Sequence, residues 1–320
     1  MEELLQKIKQ ELLREYGLEV CEVHQMTAGV GGDTYKVQAS QGKFIYKIAD
    51  ANDMNHPEAE PQICEFLLSK GIPVCNFVKN HEGSFITWTE DKKVSHLQSF
   101  IEGKVFPMNS VPEWFMVQAP ILLGRIHNAL REYKELPIGI GADFFKYMTP
   151  DNARQSYLHS YENAKQSGQV DIQQDLEIRL KVLDKMVDWR FDLERLTYCN
   201  THGDYTVNQV ICRQDRINAV IDWTCACRHP VIWEITRSFF LAEPTCAYGE
   251  LEEAKFKDYV EAYCSVAPLT QYDKDNFLKL YYYQLAVCDY YAQYFGADDY
   301  KKEEYLSQAK FATKVLQHMI

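Results

Sequence analysis

No stretch of the chain approaches the roughly 18 consecutive apolar residues that a membrane-spanning helix needs. Met1 to Glu15 is charged and lacks the apolar core of a secretory leader. Ten cysteines are present, yet none forms a C-x-x-C pair. Scattered thiols in such a chain predict a reduced, cytoplasmic protein with packed cysteines. Cys225, Cys227 and His229 follow a C-x-C-x-H spacing that fits no common zinc pattern, so packed thiols are the expectation there too. Positive charge is also short. Lysine and arginine number 34 against 46 acidic residues, for a net charge of −12 and a pI near 5.3. This balance argues against nucleic acid or an anionic membrane as a generic partner. There is no G-x-x-x-x-G-K-S/T, which excludes a Walker phosphate loop. No internal repeat or low-complexity stretch breaks the chain.

What remains is 320 residues, 46% hydrophobic and 25% charged, enough for two lobes that share a cleft. Residues 1 to about 17 predict an amphipathic helix, with Leu4, Leu5, Ile8, Leu12 and Leu13 on one stripe and Gly17 as its stop. Strand signals follow at Val20–Met26, Thr34–Ala39 and Phe44–Ile48. Asn55–Lys70 reads as a helix closed by Gly71 and Pro73. Val74–Val78 and Ser84–Thr89 are expected to pair around Glu82-Gly83, and His96–Ile101 is a further strand. From Val111 the pattern turns helical, at Pro120–Glu132, Leu176–Leu196, Glu250–Tyr263, Lys274–Tyr294 and Glu303–Met319. A β island at Tyr198–Ile221 interrupts it, with two strands around Asp215-Arg216. The fold class expected is therefore α+β, with a small β-rich N-lobe over residues 1–101 and a larger, mainly helical C-lobe over 102–320.

Two aspartates bracket the island's hairpin, in Thr201-His202-Gly203-Asp204 and Ala219-Val220-Ile221-Asp222-Trp223. Phosphoryl transfer needs such a pair. One carboxylate aims the hydroxyl and accepts its proton, and another holds the metal on the phosphates. Strand ends are rigid mounts for work that is mostly positioning. Between two strands, Gly29, Gly31 and Gly32 form a glycine-rich turn that either lets amides approach phosphate or simply closes a hairpin. Lys47 lies inside the apolar run Phe44–Ile48. Such a lysine faces solvent, or it faces a cleft and takes a carboxylate partner from the next helix, where Glu58, Glu60 and Glu65 are available.

These residues resemble the aminoglycoside phosphotransferase and choline kinase superfamily, whose fold is bilobal and protein-kinase-like. The family's H-G-D-x-x-x-x-N and I-D-W motifs are matched by His202-Gly203-Asp204 and Ile221-Asp222-Trp223, and the likeness spans nearly the whole chain. The resemblance implies Asp204 as catalytic base, Asp222 as a magnesium ligand and Lys47 as the phosphate lysine, with Glu60 as its helix partner. It implies an interlobe hinge at Phe100-Ile101-Glu102-Gly103 whose backbone would meet adenine, ATP or GTP as phosphate donor, and a structural histidine at His127. It further implies a nucleotide and a small-molecule acceptor as partners. The family's asparagine position holds Gln209, with Asn208 one residue earlier, and either amide can ligate the metal. Glu234 stands where the family has an aspartate that steadies the catalytic loop. No D-F-G with a long activation segment and A-P-E follows, which sets protein kinases aside.

The acceptor is expected in the C-lobe. Tyr281, Tyr282, Tyr283, Tyr290, Tyr291 and Tyr294 form either a packed face or an aromatic cage for a quaternary amine. Thr224 replaces the acid that follows the family's choline-type motif, which weakens a choline reading. Glu243, Glu250, Glu252 and Glu253 line either an acidic pocket or a solvated helix start. The expected activity is ATP-dependent transfer to a small-molecule hydroxyl, with an amino-sugar ahead of homoserine-like or choline-like alcohols. The alternative is a degenerate kinase fold used for binding or assembly, as in spore-coat relatives.

Overall fold

The structure is a computed structural model, and it describes residues 2–26, 33–50, 56–89 and 91–319. The glycine-rich turn with Gly29, Gly31 and Gly32 lies outside the described residues. The chain divides into two compact units, Met1–Lys104 with Gln209–Cys225, and Val105–Asn208 with Ala226–Ile320. The hairpin expected in the helical lobe thus belongs by its contacts to the β-rich unit, and the boundary falls at Lys104 rather than 101.

In the first unit, α1 (Glu2–Tyr16) ends at Gly17, whose φ of +65° suits a residue without Cβ. Strands β1 (Val20–Met26), β2 (Asp33–Ala39), β3 (Gly42–Ala49), β4 (Phe77–Val78), β5 (Thr87–Trp88) and β6 (Val94–Ser99) form one antiparallel sheet. Its order is β1-β2-β3-β6-β4, and β5 also pairs with β6. The two short strands therefore pair with β6 and not with each other. The reason is local. Asn80 and Ser84 close their own turn, and Asn80 Nδ2 donates to Ile86 O and Thr87 Oγ1, so the segments are tied by side chain instead of a ladder.

Strand alternation splits the chemistry from the core. Tyr35, Val37, Tyr46 and Leu97 are buried with Ile8 and Leu12 of α1. The neighbouring positions Thr34, Lys47 and His96 are in register across three strands, on the other face. Helix α2 (Ala59–Ser69) buries Glu60, Ile63, Cys64 and Leu67. The hairpin β8 (Val210–Cys212) and β9 (Ile217–Val220) joins this unit through bridges Val74–Val220 and Lys104–Cys212.

The second unit holds α3 (Glu113–Leu130), α4 (Ala142–Tyr147), α5 (Pro150–Gln166), α6 (Val170–Lys185), α7 (Val231–Ala242), α8 (Glu253–Cys264), α9 (Gln271–Val287), α10 (Tyr290–Gly296) and α11 (Asp299–Gln317). The expected pair around Asp215-Arg216 is β8–β9, and the island holds a third strand, β7 (Tyr198–Thr201), which pairs in a separate two-stranded ladder with β10 (Cys227–Pro230) beyond it. The expected helix 176–196 stops at Lys185, and 274–294 is two helices broken at Cys288-Asp289, where Asp289 caps α10 by accepting from Ala292 N. Thr270 and Asp273 form a capping box at the start of α9. Arg179 is fully buried and donates to Tyr157 Oη, Thr313 Oγ1 and the carbonyls of Leu285, Cys288 and Ala309, binding four helices together. Among the described residues, no helix is long and apolar enough to cross a membrane.

Candidate functional site

Each unit carries its own cluster of charged residues. In the first, Lys47 leaves β3 on the face opposite Tyr46 and is only partly exposed. Burial alone would push its ammonium down, but the carboxylates of Glu60 and Asp222 carry it above its ordinary value. Of the three expected partners, Glu65 pairs with Lys79 at 3.0 Å and Glu58 accepts from Ser84. Of the three, Glu60 is the one whose charge acts on Lys47. It stands in the first turn of α2, where a carboxylate complements the helix dipole. Glu60 Oε1 accepts from Trp223 N at 3.1 Å, while Oε2 is buried with no hydrogen-bond partner among the described residues. Burial lifts this carboxyl above the usual range, against the pull of Lys47.

Asp222 follows β9 in a left-handed conformation, φ +63°. Three hydrogen bonds fix the backbone around it. Val220 N donates to Pro73 O at 2.9 Å, Ile221 N to Gln209 O at 2.9 Å, and Trp223 N to Glu60. Trp223 is 1% exposed and anchors the turn, and Thr224 Oγ1 donates to Asp222 Oδ1 at 2.7 Å. His96, in register with Lys47, is buried and held neutral, its pKa lowered to about 3 by desolvation and by that ammonium. Phe100, Ile101 and Glu102 follow β6. Phe100 N donates to Lys43 O, the Lys36 ammonium lies 4.4 Å from the Phe100 ring, and Glu102 pairs with Lys43 while its carbonyl accepts from Asn218. Gly103 has φ +152°, and a Cβ there would meet Ile211 and the Cys212 carbonyl at 2.5–2.6 Å.

In the second unit, β7 runs into His202-Gly203-Asp204. Gly203 adopts φ +81° and its N–H donates to Glu234 Oε1 at 2.6 Å. Glu234 Oε2 meets His127 Nε2 at 2.8 Å, and His127 Nδ1 meets Tyr263 Oη at 2.8 Å. All of this is buried. Burial opposes both charges, yet Cys199, Tyr263 and Glu234 carry His127 well above its ordinary pKa, and His127 draws Glu234 down. The result is an imidazolium–carboxylate pair under the loop. Tyr205 Oη donates to Ala119 O, and Asp204 N donates to His202 Nδ1. Asp204 Oδ1 accepts from Arg237 Nη1 of α7.

Asn208 and Gln209 end this loop in a 3-10 turn. Asn208 is exposed, while Gln209 is partly buried and bonded through its carbonyl to Ile221. Among the described residues no cluster of three or more His, Cys, Asp or Glu could hold a metal unaided. His229 Nδ1 accepts from Ile140 N, so the C-x-C-x-H histidine has a structural contact. The tyrosines divide. Tyr281, Tyr283 and Tyr291 are buried in packing, and the row expected on one helix spans α9 and α10. Glu243 is 2% exposed and shares Lys255 with Glu252, both at 2.9 Å.

A model of the phosphotransferase enzyme family matches residues 22–269. The chain belongs to that family. A homoserine kinase of Methylobacillus flagellatus is 23% identical over 266 residues, covering 82% of this chain and 76% of that protein. Among solved structures, an amicoumacin kinase in complex with AMP-PNP, Ca2+ and Ami superposes with a TM-score of 0.67 at 13% identity, over 98% of this chain and 93% of that one. A spectinomycin phosphotransferase in complex with ADP and spectinomycin does so with 0.63 at 13% identity, over 98% of each chain. These likenesses show the fold: a bilobal, kinase-like phosphotransferase architecture. Two contacts of this family member were missed in the sequence. Thr224 was read only as a lost acid, and α7 was not singled out. The lone cation Arg237 in its apolar run was the available signal.

Proposed function

We propose that this phosphotransferase-family chain transfers the γ-phosphoryl group of ATP to the hydroxyl of a small molecule. In this reading, the acceptor oxygen bonds to the γ-phosphorus, the bond from that phosphorus to the bridging oxygen of ADP breaks, and the hydroxyl proton passes to Asp204. Lys47, kept charged and aimed by Glu60, binds phosphate oxygens. Asp222 and Gln209 would hold magnesium, with Asn208 the other amide available. The donor set suits that ion, which is usually bound by one or two carboxylates together with phosphates. When bound, magnesium neutralises charge on the phosphates. The Phe100–Glu102 backbone meets the base.

The observation that carries this reading is Glu60. A buried carboxylate oxygen without a partner, beside a partly buried ammonium and a second carboxylate, is a cost that a scaffold would have no reason to keep. A purely assembling member of the fold needs none of these charges. Calorimetry of ATP binding, with and without magnesium, on wild type and Asp222→Asn tests it. Magnesium should tighten binding in wild type alone. Nucleotide binding indifferent to magnesium in both proteins would favour the non-catalytic alternative.

A further inference from the structure

Arg237 is the only basic residue of α7. A guanidinium carries five N–H donors. One, on Nη1, goes to Asp204 Oδ1, while Nε and Nη2 have no hydrogen-bond partner among the described residues. The side chain is 27% exposed, so it is open to a solute. Its surroundings are neutral and aromatic. The Trp233 ring lies 5.6 Å from Cζ; burial opposes the Arg237 charge, and the groups that favour it are Asp204 and then the phenols Tyr281 and Tyr290. His229 is held neutral by burial, its pKa lowered to about 4. The other acids of α7 and its end are already engaged, Glu234 by His127 and Gly203, and Glu243 by Lys255.

The unused edge is the planar fork that recognises a carboxylate through two parallel hydrogen bonds. A cationic amino-sugar would meet a like charge here. We propose that Arg237 sets acceptor specificity, and that the acceptor is a small hydroxy compound bearing a carboxylate, which docks on the Nε–Nη2 edge with its hydroxyl toward Asp204. This rests on Asp204 as the base. Acceptors of this geometry are β- and γ-hydroxy carboxylates.

The test compares β- and γ-hydroxy acids with their carboxamides and with amino alcohols lacking the carboxylate. Wild type, Arg237→Gln and Arg237→Lys are assayed for ADP release, and binding of the hydroxy acids is followed separately by calorimetry. In wild type the acids should be preferred over the amides by roughly tenfold or more in kcat/KM. Arg237→Gln should erase that preference mainly through KM and abolish acid binding, and Arg237→Lys should keep part of both. Equal use of amides or amino alcohols by wild type overturns the proposal. So does a loss in Arg237→Gln confined to kcat with the acid preference intact, which would make Arg237 a positioning residue for Asp204. If no acceptor turns over, the binding arm decides: hydroxy-acid binding lost in Arg237→Gln supports the proposal, and none in wild type overturns it. Absence of magnesium-dependent nucleotide binding would fall on the phosphotransferase reading instead.

Discussion

The charged cluster of the first unit and that of the second are built on opposite plans. Around Asp222, charge is left over: Glu60 Oε2 has no partner, and Lys47 is held by the field of two carboxylates. Beneath Asp204, the buried pair is satisfied: Glu234 uses both oxygens and His127 both nitrogens. The difference teaches where a ligand is expected. An unsatisfied buried group costs stability until something binds, whereas a saturated network fixes a loop and gains nothing from a ligand.

The largest effect should come from the proposed base. Asp204→Asn is expected to lower kcat about 10²–10⁴-fold while leaving nucleotide affinity nearly unchanged, by steady-state kinetics beside calorimetry. Turnover equal to wild type would remove Asp204 from the chemistry. Next, Glu234→Gln leaves His127 charged and buried without its counter-ion, and should cost about 3–5 kcal/mol in denaturant unfolding. Because His127 is raised and Glu234 lowered, the pair's contribution is lost as pH rises through the histidine's folded pKa and as it falls through the glutamate's. The advantage of wild type over the variant should therefore shrink toward alkaline pH. A constant gap would mean that His127 is neutral.

In the first unit, Gly103→Ala should cost roughly 1–3 kcal/mol, since its Cβ would strike the Cys212 carbonyl. An unchanged melting curve would show that the 103–104 segment yields freely. The smallest effect has the opposite sign. Glu60 is raised in the folded protein, so its contribution is fully present below the unfolded value and declines as pH rises through the folded one. Without ligand, Glu60→Gln should thus gain stability over wild type as pH rises above the unfolded glutamate value, yet bind ATP more weakly. Lower stability at neutral pH would show that Lys47 needs the charge, and would break the contrast between the two clusters.

Much of this was legible in the residues. The strand signals located β1–β3, and Gly17 marked the end of α1 because its conformation is local, whereas the Thr270 capping box that starts α9 at Gln271 was passed over for a start at Lys274. The pairing of β4 and β5 with β6 was not legible, because Asn80 replaces a ladder with side-chain bonds that leave no periodic trace. Glu60 could be named among three acids only by likeness. What separates it is that Lys79 and Ser84 occupy the other two. Arg237 was overlooked because α7 is nearly all apolar and reads as core until Asp204 is seen at its side.

The first unit is discontinuous: Pro73, Val74 and Lys104 take backbone partners from residues 209–225. During synthesis these backbone groups must wait for the intervening helical segment to emerge, on the order of ten seconds at roughly 5–20 residues per second. Until then Glu60 lacks Trp223, and the nascent sheet exposes bonds that other chains could capture. A fragment ending at Lys104 would remain in that state permanently. The β-rich unit is therefore not a separable module, and its completion is timed by the lobe whose sequence interrupts it.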